Sequence, residues 1–201
     1  MENEDHFYVV GIGLSAGGLE PLRELLASLP PAPGAAFVVI SHLQANQESR
    51  LDTILSRWIA MPVEWMGPGA PFRPNRVYLL PPGKMATLQG SRFCLRDRRA
   101  DEKINRSVTI FFTSMAEQLG NRSIGVILSG NGSDGLEGVR AIEDQGGIVM
   151  VQHPATARFN GMPGSVVNQD HPDIVLPPYQ LAQSLMTHLR VRPYSFGERK
   201  G

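Results

Sequence analysis

The chain has 201 residues, of which 42% are hydrophobic and 19% charged, with Lys and Arg (19) balancing Asp and Glu (19). That composition excludes a disordered chain, the charge balance argues against nucleic acid as a partner, and the length suits one domain over 1–201 with its core at about 8–189. The single cysteine, Cys94, excludes a disulfide framework and a Cys-rich metal site, and no apolar run is long enough to span a bilayer.

The opening Met1–His6 is polar and acidic rather than signal-like, so a cytoplasmic domain without membrane insertion is expected. Phe7–Ile12 is a continuous apolar run, as a strand buried on both faces of a parallel sheet requires. A glycine turn follows, and Leu22, Leu25, Leu26 and Leu29 then recur at helical spacing until Pro30-Pro31. Ala36–Ile40 is a second buried strand ending at Ser41-His42. Leu51, Ile54, Leu55 and Trp58 mark a second amphipathic helix, and Val63–Met66 a third strand. The order β-α-β-α-β predicts a parallel sheet with right-handed crossovers.

The middle changes rhythm. Val77–Leu80, Met85–Gln89 and Arg92–Leu95 are short strand-like runs, the last two joined by a Gly90-Ser91 hairpin turn, and Arg96–Lys103 reads as a solvated loop. Val108, Phe111, Phe112, Met115 and Leu119 restore helical spacing up to Gly120. Strands are expected at Ile124–Leu128, Ile148–Gln152 and Ile174–Leu176. Helices are expected around Val139 and Ile142 and over Tyr179–Leu189, with a frayed tail at 190–201. The fold class is therefore α/β: a doubly wound three-layer sandwich with a mostly parallel sheet and an antiparallel hairpin.

Two motifs overlap in the first turn. Gly11-x-Gly13-x-x-Ala16 resembles a dinucleotide fingerprint, and Gly13-x-Ser15-x-Gly17 a nucleophile elbow. The dinucleotide reading needs an acid near the end of the second strand, and that strand ends Val39-Ile40-Ser41-His42. A metal hydrolase would need clustered His and carboxylate ligands, and none occur, so neither cofactor nor metal is expected. In open α/β sheets the chemistry collects at the carboxyl ends of the strands, which leaves Ser15, His42, Asp134 and His153. A serine, a histidine and an aspartate there are a nucleophile, its base and the carboxylate that fixes the base's tautomer. Each has a plainer reading: Ser15 as a helix cap, His42 as a satisfied strand-end histidine, Asp134 as the cap of a helix beginning near Leu136. His153 competes with His42, since both follow strands. The order Ser, His, Asp departs from the Ser, acid, His order of α/β-hydrolases.

These residues lie in blocks that resemble the catalytic domain of chemotaxis protein-glutamate methylesterases, the CheB type. The blocks are Gly13–Gly18, Val39–Leu43, Val77–Gly83, Leu128–Gly138, Gln152–Thr156 and Gly161–Pro163. The resemblance implies a serine esterase acting on glutamate methyl esters of chemoreceptors, and often on receptor glutamines. It implies Ser15 as nucleophile, His42 rather than His153 as base and Asp134 as orienting acid. It points to Ala16, Asn131, Gly132 and Met162 as oxyanion or substrate-binding residues, beside the positive end of the helix from Leu19. Asn131 stands where many members have methionine, and Asn105–Val108 replaces a His-x-Pro-Ser helix start. No receiver domain is expected ahead of the blocks, whose spelling is similar to members fused to a methyltransferase and sensor modules. The implied partners are a methylated receptor as substrate and a methyltransferase or sensor module in cis or in trans. The alternative is an interaction module that keeps the fold with little or no activity.

Overall fold

Tyr8–Leu14 (β1) carries only apolar residues and glycine, and every one is buried. The strand occupies the middle of a sheet whose remaining members are Ala35–Ser41 (β2), Val63–Trp65 (β3), Arg76–Leu79 (β4), Ser123–Ile127 (β7), Ile148–Gln152 (β8) and Ile174–Leu176 (β9). The computed structural model describes residues 7–42 and 49–191; the acidic opening at 1–6 and most of the tail expected to fray, 192–201, lie outside them. The order across the sheet is β3-β4-β2-β1-β7-β8-β9, and every pairing is parallel. All seven carboxyl ends therefore meet one edge.

Alternate residues of each strand feed two separate cores. Val10, Ile12, Phe37, Val39, Val126 and Met150 pack under Leu19–Ala27 (α1), Leu51–Leu55 (α2) and Pro178–Val191 (α6). Leu22, Leu25 and Leu26 fill one face of α1 without solvent exposure. Burial of each such side chain contributes about 1.5–3 kcal/mol. Val38, Ile40, Ile127 and Val149 face the opposite layer, made of Ser107–Leu119 (α3), Leu136–Asp144 (α4) and Gly161–Gln169 (α5). Lys84–Gln89 (β5) and Arg92–Asp97 (β6) pair antiparallel as a separate hairpin that covers α3. Squeezed between sheet and hairpin, α3 buries nine of its thirteen residues.

The expected architecture holds, although α2 stops at Leu55, short of Trp58, and three further differences stand out. The second strand-end glycine lies inside β1, which runs on to Leu14, so the turn proper is Ser15–Gly18. Gly11 and Gly13 face α3: a Cβ at Gly11 would come within 2.8 Å of the Phe112 ring, and one at Gly13 within 2.4 Å of Val108. These glycines let a helix approach the sheet; they are not turn residues. Second, α5 was not foreseen, because Gly161-Met162-Pro163-Gly164 spells a turn. Its apolar Met162 and Val166 nevertheless reach the core. Third, β6 extends into the stretch expected to be loop, as far as Asp97 opposite Lys84.

One titrating cluster sits away from the carboxyl edge. Burial, followed by the neighbouring carboxylates Asp170, Asp173 and Asp144, pushes Glu143 on α4 up to about 7, while the nearby cation Arg140 has its Nε 3.9 Å from Asp170. A carboxyl whose folded pKa is raised stabilises the fold fully below its unfolded value of 4.5 and loses that contribution as pH rises through 7. Glu143→Gln, which mimics the protonated form, is expected to melt about 2–4 °C above the parent at pH 8, a difference of about 1 kcal/mol after solvent screening. At pH 4 the two melting temperatures should coincide; an offset independent of pH would disprove the coupling.

Candidate active site

The carboxyl ends of β1, β2 and β8 open into a cleft of about 1170 Å³ lined by Ser15, Ala16, His42, Gln152 and Arg158, among others. Ser15 begins the turn between β1 and α1. Its amide donates to the Ser129 carbonyl at 3.0 Å, and its own carbonyl accepts from Gly18 at 3.0 Å. The helix α1 has Gly18 as its cap with no side-chain capping bond, so the hydroxyl of Ser15 is not a cap. Gly17 supports the bend with φ of +69°, a backbone conformation that side chains resist.

His42 follows β2, and its Nε2 lies 2.7 Å from Oδ2 of Asp134. The imidazole retains 17% side-chain exposure and the carboxylate only 4%. Asp134 does not cap the helix that follows it. The cap of α4 is Gly135, without a side-chain bond, and the carboxylate instead accepts the first amides of α3: Val108 N–H at 3.0 Å on Oδ2 and Thr109 N–H at 2.9 Å on Oδ1. The Gly135 amide returns the contact by donating to the Thr109 hydroxyl at 2.9 Å. Burial raises the Asp134 pKa, but the bonds from His42, Thr109 and Val108 outweigh it and hold the group below the usual aspartate range. Asp134 is thus ionised and can only accept, so the proton of the shared bond sits on His42 Nε2. In a neutral imidazole the lone pair is then on the other ring nitrogen, Nδ1. That is the nitrogen able to take a proton from a hydroxyl in the cleft.

His42 and Ser15 line the same cleft without a direct hydrogen bond, which is common before substrate closes the geometry. His153, the competing histidine, is exposed, and its Nδ1 accepts the Ala155 amide at 3.2 Å as the cap of the short turn Pro154–Thr156. Ala16 lines the cleft beside Ser15, and its amide donates to no group among the described residues. Asn131 and Gly132 lie exposed in the turn after β7 and outside the cleft lining, with the Asn131 amide likewise donating to nothing among the described residues. Met162 is fully buried, so its side chain meets no solute. It packs against Gly130, and its amide donates to the Gly130 carbonyl at 2.9 Å. Sequence reasoning did not single out Ser129, Gln152 or Thr109, all buried polar groups within this region. A glutamine ending an otherwise apolar strand was the available signal for Gln152.

Gly130 joins this scaffold to Ser15. A Cβ there would fall 2.2 Å from Met162 Sδ and 3.0 Å from Ser15 Cβ. Gly130→Ala must therefore push Met162 or the Ser15 turn aside, and is expected to lower any activity that depends on Ser15 about 100-fold, the effect of a displacement near 1 Å at a reacting group. Full activity in this variant would show that the Ser15 turn does not depend on Gly130.

Fold and site together define a doubly wound α/β domain with a serine, a histidine and a buried aspartate at the carboxyl edge of its sheet. A family model described as CheB methylesterase matches residues 10–185, and the chain belongs to that family. A protein-glutamate methylesterase/protein-glutamine glutaminase of Moorella thermoacetica is 36% identical over 183 residues, which cover 89% of this chain and 43% of that protein. A second so named, from Anaeromyxobacter dehalogenans, is 36% identical over 177 residues, covering 88% and 52%. The chain spans about half the length of these curated relatives. The crystal structure of the Thermotoga maritima CheB methylesterase catalytic domain matches with a TM-score of 0.83 at 28% identity, over 90% of this chain and 98% of that one. No helix among the described residues is long and apolar enough to cross a membrane.

Proposed function

We propose that the chain is a serine esterase that hydrolyses glutamyl methyl esters on a methylated chemoreceptor, with Ser15 as nucleophile, His42 as base and Asp134 as orienting acid. The observation that carries this reading is the buried Asp134 2.7 Å from His42 Nε2, at the cleft that His42 and Ser15 both line. Ser15 Oγ attacks the ester carbonyl as its proton passes to His42 Nδ1. The tetrahedral adduct collapses, the alkoxide leaves with that proton as methanol, and a glutamyl-serine ester remains. Water then attacks this ester with His42 as base, freeing the glutamate side chain and regenerating Ser15. The amides of Ala16, in the cleft, and of Asn131, one residue beyond the Gly130 that packs against Ser15, donate to nothing among the described residues and are suited to the oxyanion, aided by the positive end of α1. Asn131 supplies that amide whatever its side chain. Receptor glutamines enter by the same route with ammonia as leaving group, an activity that the names of the two relatives also carry.

The test is methanol release from a methyl-esterified receptor fragment, run beside labelling with a serine-reactive phosphonate. Methanol release together with one phosphonate per chain on Ser15 is the expected result. A folded chain that releases no methanol and leaves Ser15 unlabelled would instead be a binding module that retains the fold.

A further inference from the structure

Beneath the Ser15 turn lies a polar cluster that the proposed mechanism does not use. Ser129 follows β7, is fully buried, and is hydrogen-bonded to three other chain segments. Its carbonyl accepts the Ser15 amide at 3.0 Å. Its hydroxyl lies 3.0 Å from the Ala16 carbonyl and 3.2 Å from that of Phe159, and accepts the Phe159 amide at 3.0 Å. Its amide donates to Gln152 Oε1 at 2.9 Å. Gln152, only 1% exposed, passes the connection on: Nε2 donates to the Thr156 carbonyl at 3.1 Å and lies 3.3 Å from the Thr156 hydroxyl.

The turn rests directly on this cluster. A Cβ on Gly17 would lie 3.1 Å from the Ser129 hydroxyl, and one on Gly18 would lie 3.0 Å from the Ser129 carbonyl. The hydroxyl has one proton and two carbonyls within reach, and the Ala16 carbonyl is the nearer. Together with the bond from the Ser15 amide, this contact holds the Leu14–Ser15 and Ala16–Gly17 peptides, and between them the direction of the Ser15 side chain and the Ala16 amide. A buried glutamine and a buried serine are costly unless every donor and acceptor is matched, and here the partners belong to the turn and the strand ends around it.

We infer that Ser129 and Gln152 are positioning residues for the nucleophile, a buried pair that holds the Leu14–Ser15 and Ala16–Gly17 peptides, on either side of the Ser15–Ala16 bond, from below. The inference rests on Ser15 being the reacting group. Neither side chain takes part in bond making. Their effect is on kcat, through the placement of Oγ and of the Ala16 amide; Ser129 lies outside the cleft lining, so its loss leaves KM to the residues that form the cleft.

Two variants test this on the full chain, by methanol release from a methyl-esterified receptor fragment normalised to folded protein. Ser129→Ala, which deletes the hydroxyl, is expected to lower kcat about 100-fold with KM within about twofold. Gln152→Glu keeps an acceptor for the Ser129 amide. When ionised it places an oxygen against the Thr156 carbonyl; when protonated it donates there as the glutamine does. Its kcat relative to the parent chain should therefore rise as pH falls, a recovery that general destabilisation does not produce. A lowered melting temperature with unchanged kcat in Ser129→Ala, or a Gln152→Glu ratio flat with pH, overturns the inference while the parent chain remains active. A parent chain that is folded but neither turns over nor labels at Ser15 overturns both this inference and the assignment on which it rests.

Discussion

Ser15→Ala and His42→Ala are each expected to lower kcat for methyl ester hydrolysis by about 10⁴- to 10⁶-fold, and the double variant by no more than the worse single one. The reason is the step that the two share in the proposed mechanism. Without the hydroxyl no glutamyl ester forms on the protein; without Nδ1 the hydroxyl keeps its proton and is a poor nucleophile. Once either is gone the other has nothing to act on, so their losses do not add. What survives is the stabilisation that backbone amides give to water attacking the same carbonyl. KM should change little, since neither group provides much of the cleft wall. His153→Ala serves as the counterpart: it removes the cap of an exposed turn and should leave kcat within about twofold, the range of a surface substitution. A dead Ser15→Ala beside an active His42→Ala would place the base elsewhere. Equal activity in all variants would end the esterase assignment.

Asp134→Asn should be the most damaging isosteric change in the molecule, in activity and in stability together. For activity, the Asn amide would donate to His42 Nε2, so the ring proton moves to Nδ1 and blocks the only nitrogen that could accept from Ser15. A reversed tautomer costs about 10⁴-fold in kcat with the geometry otherwise intact. For stability, the carboxylate now accepts the Val108 and Thr109 amides on separate oxygens, and an amide side chain can satisfy one of them only. A buried N–H left without a partner costs about 1–3 kcal/mol, which lowers Tm by about 3–10 °C in a chain of this size. The pH dependence carries a sign. Because the folded pKa of Asp134 lies below the ordinary value of 3.8, its contribution is complete above that value and is lost as pH falls through the folded pKa. The Tm gap between parent and variant should thus be full at pH 7 and narrow toward pH 3. A gap that is constant with pH would mean that the carboxylate's charge does not support α3.

The strands and their parallel pairing were legible because a sheet covered on both faces demands largely apolar runs, and Tyr8–Leu14, Ala35–Ser41 and Ser123–Ile127 supply them. Three candidate side chains were legible for a related reason: polar residues at the ends of such runs are few. What Asp134 does was not. Its nearest helix in sequence begins two residues later, and only the packing of α3 against the turn shows that its carboxylate serves the earlier one. The glycines of β1 misled in a similar way. Spelled next to Ser15 they suggest a loop, whereas Phe112 and Val108 occupy the space their side chains would fill. Helix α5 was hidden because glycine and proline at its start match a turn as well as a first helical turn. Ser129 and Gln152 were hidden because a hydrogen-bond network has no periodicity to read.

The close seat of α3 on β1 has a consequence for which substitutions the molecule tolerates. The first turn of α3 supplies the amides that hold Asp134, and that same turn carries Val108, which lies where a side chain on Gly13 would go. A single methyl group at Gly13, on the side of the sheet remote from solvent, would lift the end of α3 and draw the aspartate with it. In a saturation scan scored for activity, inactivating changes should therefore form two clusters. One surrounds the cleft mouth; the other lies between the sheet and α3, at Gly11, Gly13 and Gly125, where no solute ever reaches.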